Sequence, residues 1–231
     1  MNAPQFTNIQ ACVFDAYGTL LDFNSAVMNC ADEIGDDAAR LSEIWRQKQL
    51  QYTWLRSLMG THADFWQVTG EALDFSLDAI GLENPELREK LMALYRKLDA
   101  FPEVSETLRS LKAGGMRTAI LSNGSPDMLA AAVHANNLQD LLDDVQSVED
   151  VGVFKPDPRV YQLSVDRLGV GPEQICFMSS NGWDAAGAAA FGFNVIWVNR
   201  YKQPTEHLPA RPDMVIDTLA PLPEILALTA Q

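Results

Sequence analysis

Ala11–Thr19 reads ACVFDAYGT: four apolar residues, then the carboxylate of Asp15, then a turn containing Gly18. A short unbroken apolar run closed by turn residues reads as a strand buried on both faces, as in a parallel sheet. The pattern returns at Thr118–Leu121, Val145–Val148, Ile175–Met178, Val195–Val198 and Met214–Ile216. Between these runs, Glu103–Lys112, Pro126–Ala135, Pro158–Leu168 and Trp183–Phe191 carry helical periodicity. Pro126 and Pro158 stand at first-turn positions, behind Ser125 and Asp157 as N-caps. Repeated βα units with right-handed crossovers predict an α/β fold with a doubly wound parallel-sheet, Rossmann-like core.

One block breaks the alternation. Asn24 to Leu98 holds no strand candidate, only three or four helical patterns. An insert of this kind predicts an all-helical cap domain over the strand C-terminal ends, where such sheets bind ligands. The expected boundaries are 1–22 and 101–231 for the catalytic core and 23–100 for the cap, with Phe101–Pro102 as the return hinge. In the long cap helix, at about 100° per residue, Leu41, Ile44, Trp45, Tyr52, Leu55 and Met59 share one face, expected to be the cap's own core. Arg46, Leu50 and Trp54 form a second stripe on roughly the opposite side. From pattern alone, Arg46 either snorkels to solvent or stands as the lone cation in an apolar pocket wall facing the sheet.

Composition excludes several classes. The chain has 231 residues, 31 acids against 17 bases, and a formal net charge of −14. No Lys/Arg cluster offsets that balance, which argues against nucleic acid and anionic membranes as partners. The opening MNAPQFTNIQ carries neither a basic residue nor an apolar core, so no secretory signal is expected. Cys12, Cys30 and Cys176 have no CxxC spacing and read as buried, reduced thiols in a cytoplasmic protein.

Chemistry concentrates at four strand ends: Phe14–Thr19, Leu121–Gly124, Val153–Pro156 and Met178–Asp184. Polar residues there, followed by Gly or a helix start, are how an α/β sheet builds a site. Asp15 is either a cap for its turn or a nucleophile that forms a covalent ester. Lys155 is either a surface lysine before a proline or the cation that keeps Asp15 ionised.

DAYGTLLD, LSNGS, KPDPRVY and SSNGWD resemble the four signature motifs of the haloacid dehalogenase superfamily. More narrowly, WRQKQLQYTWLRSLM, SNGSP and SSNGWDAAGAAAFGF resemble the (S)-2-haloacid dehalogenases, over nearly the whole chain. The phosphatases of that superfamily resemble DxDGT, whose second Asp serves as general acid and in a Mg²⁺ site. Here Tyr17 stands at that position. An alkoxide leaving group needs a proton and a halide does not, so the acid is dispensable. A hard divalent ion wants several oxygen ligands and would blunt Asp15 as a nucleophile toward carbon, so no metal and no cofactor is expected.

The resemblance implies hydrolysis of short (S)-2-haloalkanoic acids to (R)-2-hydroxy acids and halide. Asp15 would attack C2, and water activated by Asp184, helped by Asn181, would cleave the ester. Lys155 would bridge the two aspartates, with Thr19, Ser179 and Tyr161 as hydrogen-bond partners. Ser122 and the N–H groups of Ala16 and Tyr17 would hold the substrate carboxylate, as suits an anion at a strand-to-helix turn. Arg46 and Asn123, with the Trp183 ring edge, would cradle the halide, while Tyr17, Leu50 and Trp183 wall the pocket. A homodimer is expected, as in similar enzymes. The alternatives are a Mg²⁺-dependent small-molecule phosphatase of the same superfamily, for which Tyr17 is the discriminating residue, and a non-catalytic binding protein that has kept the fold. The global charge does not forbid an anionic substrate, because Asp15 and Asp184 are balanced locally by Arg46 and Lys155.

Overall fold

A computed structural model of the chain describes residues 6–228. Each apolar run becomes a strand: β1 (Ala11–Phe14), β2 (Arg117–Ser122), β3 (Asp144–Ser147), β4 (Ile175–Ser179), β5 (Asn194–Val198) and β6 (Met214–Ile216). They form one sheet in the order β3-β2-β1-β4-β5-β6, and every pairing is parallel. Helices α1 (Ser25–Met28), α2 (Ala31–Ile34), α3 (Ala38–Met59), α4 (Phe65–Ile80) and α5 (Pro85–Tyr95) follow β1. Then come α6 (Val104–Ala113), α7 (Pro126–Ala135), α8 (Pro158–Leu168), α9 (Gly182–Phe191) and α10 (Leu222–Ile225). Asp157 caps α8 by accepting from the Arg159 N–H, whereas Ser125 precedes α7 without a side-chain cap bond.

The register decides where the site lies. Phe14 is level with Ile120 on one side and Met178 on the other, so β1, β2 and β4 end side by side. The strand order reverses between β1 and β4, and the crevice at that switch point is where doubly wound sheets place a ligand. All four residues of β1 and all five of β4 are buried, as strands covered on both faces must be.

The helical insert leaves and rejoins the core at a paired neck. Asp22 N–H donates to the Asp99 carbonyl at 2.8 Å, and Phe101 N–H to the Leu20 carbonyl at 3.0 Å. Arg200, from the end of β5, stacks its guanidinium 3.8 Å from the Phe101 ring centroid and donates to the Thr19 carbonyl at 2.8 Å. We propose this neck as the boundary between the core, 1–22 with 101–231, and the cap, 23–100. Met1–Gln5, half of the stretch read as carrying no secretory signal, and residues 229–231 lie outside the described residues.

The expectation for the cap's interior face needs correction. Beyond Ala38 in its first turn, α3 buries Leu41, Trp45, Gln49 and Thr53, while Leu55 and Met59 are 43% and 64% exposed. The buried row runs i, i+4, i+8, and each step turns about 40° around the helix. Such a row is the ridge along which crossing helices pack. By the last turn the covered side has rotated away from Leu55 and Met59. A face drawn at constant angle, as the sequence reading drew it, misses that rotation. Among the described residues, no helix is long and apolar enough to cross a membrane.

Candidate active site

Asp15 leaves β1 with its backbone N–H on the Met178 carbonyl of β4 at 2.9 Å, which pins the carboxylate at the switch point. Its Oδ2 accepts from Thr19 Oγ1 at 3.1 Å and from Asn181 Nδ2 at 2.9 Å, and its Oδ1 from Lys155 Nζ at 3.2 Å. Thr19 is itself held, accepting from the Ser180 N–H at 2.7 Å. The Gly18 turn that returns Thr19 toward Asp15 has φ +93°, a conformation open to glycine at little cost.

Lys155 Nζ also lies 2.9 Å from Asp184 Oδ2 and is 1% exposed, so one ammonium serves two buried carboxylates. Burial by itself would lower the Lys155 pKa; the charges of Asp15 and Asp184 outweigh it, and the net direction is upward. Asp184 is fully buried on α9, and its Oδ1 accepts from the Tyr161 hydroxyl at 2.8 Å. Burial raises the Asp184 carboxyl above its ordinary value, with the Lys155 charge offsetting only part of that. The Tyr161 hydroxyl is pushed well up, first by burial and then by Asp184. It therefore donates and does not ionise. A raised carboxyl beside a fixed proton donor suits a general base toward water.

The cap contributes Arg46. Its Nη2 donates to Asn181 Oδ1 at 3.0 Å and to the Tyr17 carbonyl at 3.3 Å, and its Nη1 to Gln49 Oε1 at 2.8 Å. Of the two readings of Arg46, the structure has the one that faces the sheet. Asn181 donates to the Tyr17 carbonyl too, at 3.3 Å, so that peptide is clamped from two sides. The N–H groups of Ala16 and Tyr17 make no backbone hydrogen bond among the described residues and are left as donors at the turn.

The remaining expected residues surround this centre. Ser122 is fully buried at the end of β2, its hydroxyl accepting from the Gly124 N–H at 3.1 Å. Asn123 Oδ1 accepts from the Lys155 backbone N–H at 3.0 Å, which leaves its Nδ2 to donate elsewhere. Ser179 Oγ accepts from the Asn181 N–H at 3.2 Å, so it shapes the loop and acts on Asp15 through Asn181. Leu50 is half-buried one turn beyond Arg46. Trp183 meets the cap's Trp54 edge-on, with ring centroids 5.4 Å apart. Tyr17 stacks on Tyr95 at 5.6 Å, and Gly124 passes so close that a Cβ there would meet Tyr17 Cε2 at 2.8 Å. Among the described residues, no group of three or more His, Cys, Asp or Glu side chains is arranged to hold a metal ion.

An aspartate after β1, a lysine between it and a second aspartate, and a helical cap supplying a cation are one site in space. Residues 9–192 match the model of the haloacid dehalogenase-like hydrolase family. The chain belongs to that family. Among its haloacid dehalogenase relatives, the chain is 52% identical to (S)-2-haloacid dehalogenase 1 of Pseudomonas sp. (strain CBS-3), over 94% of this chain and 96% of that one. It is 50% identical to (S)-2-haloacid dehalogenase 4A of Burkholderia cepacia, over 95% and 96%. A solved L-2-haloacid dehalogenase of Xanthobacter autotrophicus, with chloropropionic acid covalently bound, superposes with TM-score 0.89. It is 38% identical, over 95% of this chain and 98% of that one. Within the family, the chain is therefore an (S)-2-haloacid dehalogenase-type hydrolase acting on carbon–halide bonds.

Sequence reasoning passed over several residues of this haloacid dehalogenase site. Gln49, Thr69 and Tyr95 form a buried polar cluster directly behind Arg46. The available signal was Gln49 itself, a polar residue four positions after Trp45 on the side of α3 that faces α4. Phe65, tilted against Tyr17 at 5.6 Å, was missed as one apolar residue among many.

Proposed function

We propose that the chain hydrolyses short (S)-2-haloalkanoic acids to (R)-2-hydroxy acids and halide, without a metal or other cofactor. The observation that carries the reading is the Asp15–Lys155–Asp184 bridge, with Asn181 and Thr19 on the free side of Asp15. A carboxylate of Asp15 attacks C2 from the face opposite the halogen, the carbon–halogen bond breaks, and halide leaves with the bonding pair. Water then attacks Cγ of the ester and gives a proton to Asp184. The bond from Cγ to the oxygen on C2 breaks, and that oxygen takes the proton from Asp184 and departs as the hydroxy acid. The acid left on Asp15 loses its proton to solvent, which restores the carboxylate. Only the first step touches C2, so the configuration inverts once.

Lys155 supports the metal-free reading, because its ammonium already stands between the two carboxylates. Ser122 and the Ala16 and Tyr17 amides serve the substrate carboxylate. Arg46, Asn123 and Trp183 serve the departing halide, a charge that appears only as the bond breaks. Tyr17 Oη, Trp54 Nε1 and Trp183 Nε1 are buried without a hydrogen-bond partner among the described residues, and unspent donors of this kind favour an anionic ligand. Leu50, Tyr17 and Trp183 wall the alkyl chain. A second copy is the partner we assign to the apolar end of α3, where Leu58 is 85% exposed.

Halide release from (S)-2-chloropropionate tests the reading, with the (R)-enantiomer spared, (R)-lactate as product and no loss on adding a chelator. Magnesium-dependent hydrolysis of a phosphate ester, with no halide release, would overturn it.

A further inference from the structure

Gln49 is 1% exposed at the middle of α3, in a cap interior that also holds the apolar Leu41, Trp45, Phe65, Leu73 and Leu91. Dehydrating a primary amide costs free energy that a leucine of similar volume would not incur. Its bonds are complete. Nε2 donates to Thr69 Oγ1 at 2.7 Å, and Oε1 accepts from Arg46 Nη1 at 2.8 Å. The Tyr95 hydroxyl lies within reach of both ends, 3.0 Å from Nε2 as acceptor and 3.1 Å from Oε1 as donor.

The direction of this chain is determined. Thr69 gives its only hydroxyl proton to the Phe65 carbonyl at 2.6 Å, so toward Gln49 its oxygen can only accept. The amide nitrogen of Gln49 must therefore face Thr69, and its oxygen must face Arg46. A guanidinium is a rigid planar fork, so holding Nη1 aims Nη2. Nη2 donates to Asn181 Oδ1, which turns Asn181 Nδ2 toward Asp15 Oδ2. The unbroken path Phe65–Thr69–Gln49–Arg46–Asn181–Asp15 carries orientation from the cap interior to the nucleophile.

We propose that Gln49 is the positioning residue of the cap. It fixes the Arg46 guanidinium through a neutral acceptor, so that Arg46 is aimed without being neutralised and keeps its charge for the departing halide. Thr69 sets the orientation of the Gln49 amide. The proposal rests on the haloacid reading of the site, since it gives the held cation an anion to meet.

The test compares Gln49→Leu, Gln49→Glu, Thr69→Val and Thr69→Ser with the unaltered protein, on 2-chloro- and 2-iodopropionate. Gln49→Leu lets Arg46 swing, and Gln49→Glu spends its charge on a buried ion pair. Each is expected to lower kcat on the chloro acid about 10- to 100-fold, the scale of a misplaced catalytic group, with KM changed less than about threefold. The loss should be smaller on the iodo acid, because the weaker carbon–iodine bond asks less of the cation. Thr69→Ser keeps the acceptor and should retain activity; Thr69→Val should follow Gln49→Leu in direction. Equal losses on both halides, or an unchanged kcat in Gln49→Leu, would overturn the proposal. If Gln49→Leu does not fold, equal activity of Thr69→Val and Thr69→Ser would overturn it. No halide release from the unaltered protein would instead overturn the haloacid reading.

Discussion

The Tyr161 hydroxyl donates to Oδ1 of Asp184 across 2.8 Å, and both side chains are fully buried. Behind the ring, a Cβ on Gly187 would meet Tyr161 Oη at 2.5 Å, so glycine is what lets the phenol reach its partner. Tyr161→Phe should leave one oxygen of a buried carboxylate unpaired, costing about 1–3 kcal/mol of stability. Halide release should survive and ester hydrolysis should slow, read as a burst of halide ahead of hydroxy acid in a rapid-quench experiment.

Asp184→Asn removes the base and keeps the shape. One equivalent of halide should leave per active site and the ester should then persist, visible by intact mass on the peptide carrying Asp15. Asp15→Ala should release no halide at any pH. Multiple turnovers in Asp184→Asn would assign water activation to another group.

The raised Asp184 pKa sets two opposite pH trends. The folded chain holds this proton to higher pH than the unfolded chain, so the group's stabilising contribution is present in acid. It declines as pH rises from the ordinary carboxylate value through the raised one. Ester hydrolysis needs the ionised form and should fail in the other direction, as pH falls. In the ester Asp15 carries no charge and no longer raises Asp184, but the Tyr161 hydrogen bond still lowers it. The acid limb of single-turnover ester hydrolysis should therefore move to higher pH in Tyr161→Phe. A limb that does not move in Tyr161→Phe would contradict this assignment.

Lys155→Met strands two carboxylates without their cation. The expected loss is about 3–5 kcal/mol, the usual result of removing one partner from a buried ion pair. Adding Asp184→Asn should recover part of that stability in denaturant titration, with activity absent in both variants. Additive destabilisation would mean that Lys155 and Asp184 are energetically independent despite their 2.9 Å contact.

Much of this was legible in the residues. The six apolar runs match the strands to within a residue or two. β1, β2, β4 and β5 are almost wholly buried and cannot disguise their composition, while the edge strands β3 and β6 are only partly covered. Asp15 stood out as a polar group at a strand end. The expected strand before Lys155 is absent among the described residues, since β3 stops at Ser147 and Lys155 sits in the turn ahead of α8. Asp184 lies in the first turn of α9 rather than on β4 itself. Gln49 did not stand out, because a polar residue on a helix resembles solvent-facing sequence until Thr69 and Tyr95, 20 and 46 residues away, are folded against it. Leu55 and Met59 misled for the converse reason: periodicity gives angles around a helix, while the path of its neighbour decides which angle is covered. The two readings of Arg46 separated only when the Tyr17 carbonyl and Asn181 were placed beside it.

At the neck, where Asp22 meets Asp99 and Leu20 meets Phe101, the chain departs and returns at almost the same point. The core therefore closes as a continuous β1-to-α6 connection whatever the intervening residues do, and the insert hangs from it as a sealed loop. Sequence can be added, trimmed or exchanged within that loop without lengthening any connection in the sheet. In the reading proposed above, the nucleophile Asp15 and the base Asp184 stand on the core side of the neck, and Arg46, assigned to the halide, stands on the insert. In this architecture a change confined to the insert reaches the site through Arg46 and its neighbours while the Asp15–Lys155–Asp184 bridge keeps its frame.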